Sequence, residues 1–200
     1  MTWINMLDEI LDAIDNNDIG YLSSVDFDVN ARVESCDNDT VFLYAMGVAT
    51  FTHFDFLLQK KPDMFAVNNE QESVIHSIVY IGDVERLKYV LAVCPQLYSL
   101  INGQRKDGET PLSHAAIVDD YGMASFLIDC GADVNACDAL GCMPLHWACY
   151  TGNLALVRKL IAHGANVFKK DNNGNTPLAM AANEDKREVV RYLVENYYKL

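Results

Sequence analysis

Residues 105–137 read RKDGETPLSHAAIVDDYGMASFLIDCGADVNAC, and residues 138–170 read DALGCMPLHWACYTGNLALVRKLIAHGANVFKK. Laid over one another they match at an offset of 33 residues: Thr110-Pro111-Leu112-Ser113 recurs as Met143-Pro144-Leu145-His146, and again as Thr176-Pro177-Leu178-Ala179. Weaker copies upstream, Thr40-Val41-Phe42-Leu43 and Ser73-Val74-Ile75-His76, are themselves 33 apart. The step from Ser73 to Thr110 is 37, which places a four-residue insertion in the loop between Gln96 and Arg105. A fixed period of this length marks stacked structural repeats.

Each copy reads mechanically. A Thr or Ser before Pro starts a helix, because the hydroxyl caps free backbone N–H groups and proline is preorganised for the first helical position. After Pro144 a short helix runs towards Gly152, and a second helix follows with apolar Leu154, Leu156, Val157, Leu160 and Ile161. Gly131 and Gly164 end the second helices. The polar stretches that follow, closed by glycines at 108, 141 and 174, predict protruding turns. One such helix pair cannot bury its apolar face alone, but stacked neighbours can. At the N-terminus, Trp3, Ile4, Leu7, Ile10, Leu11 and Ile14 form one stripe at helical spacing, which predicts a capping helix.

Asp171, Gly174, Thr176-Pro177-Leu178, Ala181-Ala182 and the run from Gly131 to Ala136 closely resemble the ankyrin repeat, tightly over residues 105–194 and more loosely over 37–95. The resemblance implies an all-α fold: an ankyrin-repeat solenoid of stacked helix-turn-helix units, with N-terminal capping helices plus five repeats. The expected division of this single domain is a capping unit at 1–34, repeats at 35–67, 68–104, 105–137 and 138–170, and a C-terminal capping repeat at 171–200. Two departures stand out. Asp119 sits where the inter-helix turn has glycine, and Cys94-Pro95 replaces the Gly-Ala that ends the second helix, so residues 94–109 are the expected irregularity.

Half of the 200 residues are hydrophobic, enough for a continuous core. No apolar run reaches the roughly 18 residues a membrane-spanning helix needs. The acidic start, with Asp8, Glu9 and Asp12, does not read as a secretory signal, so the expected address is the cytoplasm, and the nucleus besides. The net charge of -13 disfavours nucleic acid and anionic membranes. That charge is uneven: residues 1–104 hold 16 acids and 5 bases, residues 105–200 hold 12 acids and 10 bases. A basic partner should approach the N-terminal half.

The six cysteines show no Cys-x-x-Cys pair and read as reduced thiols. Cys142, His146 and Cys149 share a helical face but lack a fourth ligand at sensible spacing, so no metal and no cofactor is expected. His76 and His146 close the Thr-Pro-Leu-His-like motif, where the ankyrin resemblance implies a structural hydrogen bond; His114 lies beside such a position, and His53 and His163 have no matching nucleophile. No nucleophile, base and orienter constellation is present, so an enzyme is not expected.

The resemblance implies binding of another protein through turn tips and the exposed side of each first helix. Mapped here, the tip positions are Asp37 and Asp39, Glu70 and Glu72, Asp107 and Glu109, then Leu140 and Cys142; the helix-end positions include Val48, Tyr80 and Ile81, Ile117 and Val118, and Tyr150. The acids suit a Lys/Arg-rich segment, and Tyr80 and Tyr150 are the natural anchors of an apolar strip. Asn30 and Asn135, each after Asp-Val and eight residues beyond Leu22 or Leu127, also resemble the pattern that the ankyrin-directed asparaginyl hydroxylase favours. The expectation is a monomer that binds, and masks or inhibits, a basic, partly apolar segment of a partner protein. A scaffold or adaptor subunit and a host-directed viral or bacterial effector are the alternatives.

Overall fold

The computed structural model describes residues 3–48 and 51–198, and the side chains of residues 3–5 and 51–54, Trp3, Ile4 and His53 among them, lie outside the described set. The chain forms two compact units: Met1–Ile81 with Glu85–Leu97, and Gly82–Val84 with Tyr98–Leu200.

Unit 1 opens with α1 (Trp3–Asp15) and α2 (Ile19–Ser24). Ile10, Leu11 and Ile14 of the predicted stripe are buried, Leu7 is half-buried, and the Asp18 carboxylate accepts from the Tyr21 N–H at 2.9 Å to start α2. The short strands β1 (Arg32–Val33) and β2 (Asp39–Thr40) pair antiparallel, and α3 (Val41–Val48) follows. Thr40 Oγ1 accepts from the Leu43 N–H at 3.1 Å, as the helix-start reading requires. Val41, Phe42, Leu43, Ala45 and Met46 are all buried, so α3 is enclosed on nearly every side. It packs against α1 and against α5 (Val74–Tyr80). In the chain α4 (Phe51–Gln59) connects α3 to α5, and α6 (Val84–Val93) follows α5. Arg86 of α6 is buried and donates to the Met46 carbonyl at 2.9 Å, placing a cation at the C-terminal end of α3.

The expected insertion is ordered. A 3-10 helix spans Pro95–Leu100, with Leu97 and Ile101 buried, so apolar side chains hold down a segment whose length alone suggested a loop.

Unit 2 contains the pairs α7 (Pro111–Ile117) and α8 (Tyr121–Asp129), α9 (Pro144–Thr151) and α10 (Leu154–Ala162), and α11 (Pro177–Asn183) and α12 (Arg187–Tyr197). Thr110 and Thr176 cap α7 and α11 through their hydroxyls, at 3.1 and 3.3 Å. Met143 has no hydroxyl, and there His146 Nδ1 accepts from the Met143 N–H at 3.1 Å instead. Helix α9 packs between α7 and α11, and α10 packs against α8 and α12. Leu145, Ala148, Cys149, Leu156, Val157 and Leu160 are fully enclosed in this stack.

Successive turns are tied to one another by the same two devices in each unit. Backbone bonds link the tips: Asn69 N–H to Asp37 O at 2.8 Å in unit 1, then Ala139 to Asp107 at 2.7 Å and Asn172 to Leu140 at 2.9 Å in unit 2. Asparagine side chains link the loop bases: Asn30 Oδ1 accepts from Asp63 N–H at 2.6 Å in unit 1, Asn102 from Asp133 at 2.8 Å and Asn135 from Asn166 at 2.9 Å in unit 2.

Candidate protein-binding surface

From the second tip onward, each is built around a residue whose side chain folds back on its own turn. In unit 1, Asn68 Oδ1 accepts the N–H groups of Glu70 and Glu72, both at 2.9 Å, and its Nδ2 donates to Glu72 Oε2 at 2.7 Å. Asp39 bonds the same amide. Burial pushes the Asp39 carboxyl up to about 6, with Glu72 and Asp37 adding repulsion, while Asn68 and Arg32 work in the opposite direction. Asp37 stands exposed, and Glu70 is half-buried.

In unit 2, Asp107 Oδ1 accepts from the Glu109 N–H at 3.1 Å, and Glu109 meets His114 Nδ1 at 2.8 Å. The Arg105 guanidinium lies 3.6 Å from Asp107 and 3.9 Å from Glu109. Asp107 is exposed and Glu109 is half-buried.

The six acids are therefore not equivalent exposed charges. Asp37 and Asp107 face solvent, whereas Asp39, Glu72 and Glu109 turn inward to Asn68 or His114 and shape the turns. Spacing fixes where a Cα sits, and the nearby amide or imidazole decides which way the carboxylate points. Cys142, also at a tip position, is buried for the same reason of side-chain direction.

The helix-end positions face outward. Tyr80 and Ile81 are 36% and 39% exposed in unit 1, and Val48 is 49% exposed. In unit 2, Val118 is 53% exposed, Leu140 54% and Tyr150 43%, while Ile117 is half-buried. Trp147 belongs beside them. Its indole donates to Asp138 Oδ2 at 2.9 Å, and its ring meets Tyr150 edge-to-face with centroids 6.1 Å apart, which restrains Tyr150 before anything binds. The sequence signal for Trp147 was a tryptophan on the first helix directly after the motif histidine.

His146, His76 and His163 are engaged in local hydrogen bonds. His146 Nδ1 accepts from Met143, and Nε2 donates to the carbonyls of Lys169 and Asn175 at 3.1 and 3.3 Å. Burial lowers its pKa, against the pull of those carbonyls. Burial pushes the Cys142 thiol up to about 12 and raises Cys149 as well. Both ring nitrogens of His146 are engaged by the backbone. His76 Nδ1 accepts from Ser73 N–H at 3.1 Å, and His163 Nδ1 meets the Lys159 carbonyl at 2.8 Å. Among the described residues, no group of three or more His, Cys, Asp or Glu is placed to hold a metal. No helix among them is long and apolar enough to cross a membrane. Asn135 is exposed and Asn30 half-buried, and since Asn135 Nδ2 also donates to the Gly164 carbonyl at 3.0 Å, an enzyme reaching it would have to break both bonds.

A family model described as ankyrin repeats, three copies, matches residues 42–138 and 119–200. Among curated proteins, the chain is 28% identical over 182 residues to Protein glp-1 of Caenorhabditis elegans, covering 84% of this chain and 14% of that one. It is 34% identical over 98 residues to the tyrosine-protein kinase Shark of Drosophila melanogaster, covering 48% and 10%. To the putative ankyrin repeat protein L371 of Acanthamoeba polyphaga mimivirus it is 27% identical over 142 residues, covering 70% and 18%. The chain thus spans less than a fifth of the length of each of these relatives.

Proposed function

This chain belongs to the ankyrin-repeat family, whose repeats make it a protein–protein interaction module, and on that premise we propose that it captures and masks a basic, partly apolar segment of a partner protein. The observation that carries the proposal is the outward set of Tyr80, Ile81, Val118, Leu140 and Tyr150, large apolar side chains presented at turn tips and first-helix ends. Such side chains gain free energy by leaving water, and tyrosine suits the purpose because its ring buries apolar area while its hydroxyl keeps a polar contact. Charge supports the basic character of the segment, since unit 1 carries fifteen acids against five bases. The contribution of that field is to encounter rate and selectivity more than to affinity. The six cysteines are free, which suits a reducing compartment such as the cytoplasm or nucleus.

Affinity capture from lysate tests the proposal, with cross-linking used to locate the bound segment. A Val118→Lys, Tyr150→Ser variant that melts like the parent should lose the partner, and the cross-linked peptide should be rich in Lys and Arg. Undiminished capture by that variant, or a cross-linked segment that is acidic, overturns it.

A further inference from the structure

Unit 1 holds a cavity of about 560 Å³ between α1 and the segment running from Phe27 through β1. That size lies within the range of pockets that accept ligand groups. Ile10, Phe27 and Val33 are buried at its floor, and Met6 and Leu7 of α1 are half-buried along one wall. Its polar lining is unbalanced. Asp8, Asp28 and Glu34 are exposed carboxylates, while the single base, Arg32, has its guanidinium bonded to the carbonyls of Asn38 at 2.9 Å and Val67 at 2.6 Å. An apolar floor beneath a negative rim selects against acidic and purely polar occupants.

We propose that this cavity docks one or two adjacent leucine- or phenylalanine-sized side chains carried by a lysine- or arginine-rich stretch of a partner protein. The inference rests on the capture reading above and adds to it a specific apolar foothold within the acidic unit. The floor removes the apolar group from water, and Asp8 and Glu34 meet the flanking cations at the rim, where the energy is modest and sensitive to salt.

Methionine methyl NMR on the full chain tests it directly, because Met6 lines the cavity and its signal is identified by its loss in Met6→Leu. The probe is the acetylated octapeptide KKLKKFKK, with KKSKKSKK and EELEEFEE as controls. The expected result is a saturable shift of the Met6 methyl with KKLKKFKK and none with either control. Asp8→Lys with Glu34→Lys, both exposed positions, should weaken binding by about tenfold at low salt. Absence of binding, binding without movement of Met6, or equal binding of KKSKKSKK overturns the cavity assignment, and the capture reading is then judged separately by its own variant. A Met6 shift that grows with protein concentration and needs no peptide also overturns it, in favour of a second copy of this chain as occupant.

Discussion

The two units build the same turn from different chemistry. In unit 2 the tips place Gly108, Gly141 and Gly174 in the left-handed region, at φ of 77, 76 and 85°. In unit 1 that region is occupied by Asp37, Asn38 and Gln71, at 48, 61 and 65°. Glycine enters it without steric cost, whereas a side chain pays for its Cβ. Unit 1 offsets the strain with local hydrogen bonds, above all those of Asn68, and gathers carboxylates around them. Unit 2 instead has glycine turns and near-balanced charge, while exposed apolar helix ends occur in both units. Acidic tip residues accompany either kind of turn, since Asp107 and Glu109 flank Gly108, so the units differ in what fills the left-handed position.

The strongest way to break the comparison is through the core. Phe42→Ala removes a fully enclosed ring from α3 and should cost about 3–5 kcal/mol, read as a drop in the urea midpoint, with hydrogen-exchange protection lost first in α3 and α5. Loss of protection beginning in α9 would contradict the placement of that core.

Next come the tips. A Cβ on Gly141 would lie 2.5 Å from Asn172 Oδ1 and 3.0 Å from the Asn172 nitrogen, in addition to the left-handed φ. Gly141→Ala should therefore destabilise by about 1–3 kcal/mol. Gln71→Gly, at an exposed left-handed tip of unit 1, should stabilise by roughly 0.5–1 kcal/mol. Thermal melts of the two variants must move in opposite directions if the tips differ as described.

A pH-dependent effect concerns Asp39. Because its carboxyl is raised to about 6 in the folded chain against an ordinary value of 3.8, ionisation opposes folding above that range. Asp39→Asn should stabilise at pH 7, and the gain should shrink as pH falls from about 6 towards 4, where the parent takes up its proton on folding. A gain that grows on acidification would mean that the carboxylate is instead held below its ordinary value.

How much of this was legible depended on which physical signal carried it. Proline at the first helical position and a capping hydroxyl are local, so the starts of α7 and α11 could be read directly from Thr110-Pro111 and Thr176-Pro177. The ankyrin resemblance, mapped onto the repeat register, pointed to Val118, Leu140 and Tyr150, and these three are exposed. Side-chain direction did not follow. Asp39, Glu72 and Glu109 share tip spacing with Asp37 and Asp107 but are recruited by Asn68 and His114, partners visible only in three dimensions. The 3-10 helix at Pro95–Leu100 was hidden because it is only six residues long and lies where the repeat period marks an insertion, although Leu97, Leu100 and Ile101 are spaced i, i+3, i+4. Trp147 was overlooked because its role depends on Tyr150 and Asp138 together.

The division of labour between the units is most directly tested by the kinetics of the captured partner at several salt concentrations. Reversing Asp37 and Glu70 to lysine in unit 1 should slow association, with the difference fading at high salt, and leave dissociation nearly unchanged. Val118→Lys with Tyr150→Ser in unit 2 should chiefly speed dissociation at every salt concentration. If both variants change the same rate constant, or if the acidic variant binds as fast as the parent at low salt, the account of a charged unit that attracts and an apolar unit that holds is wrong.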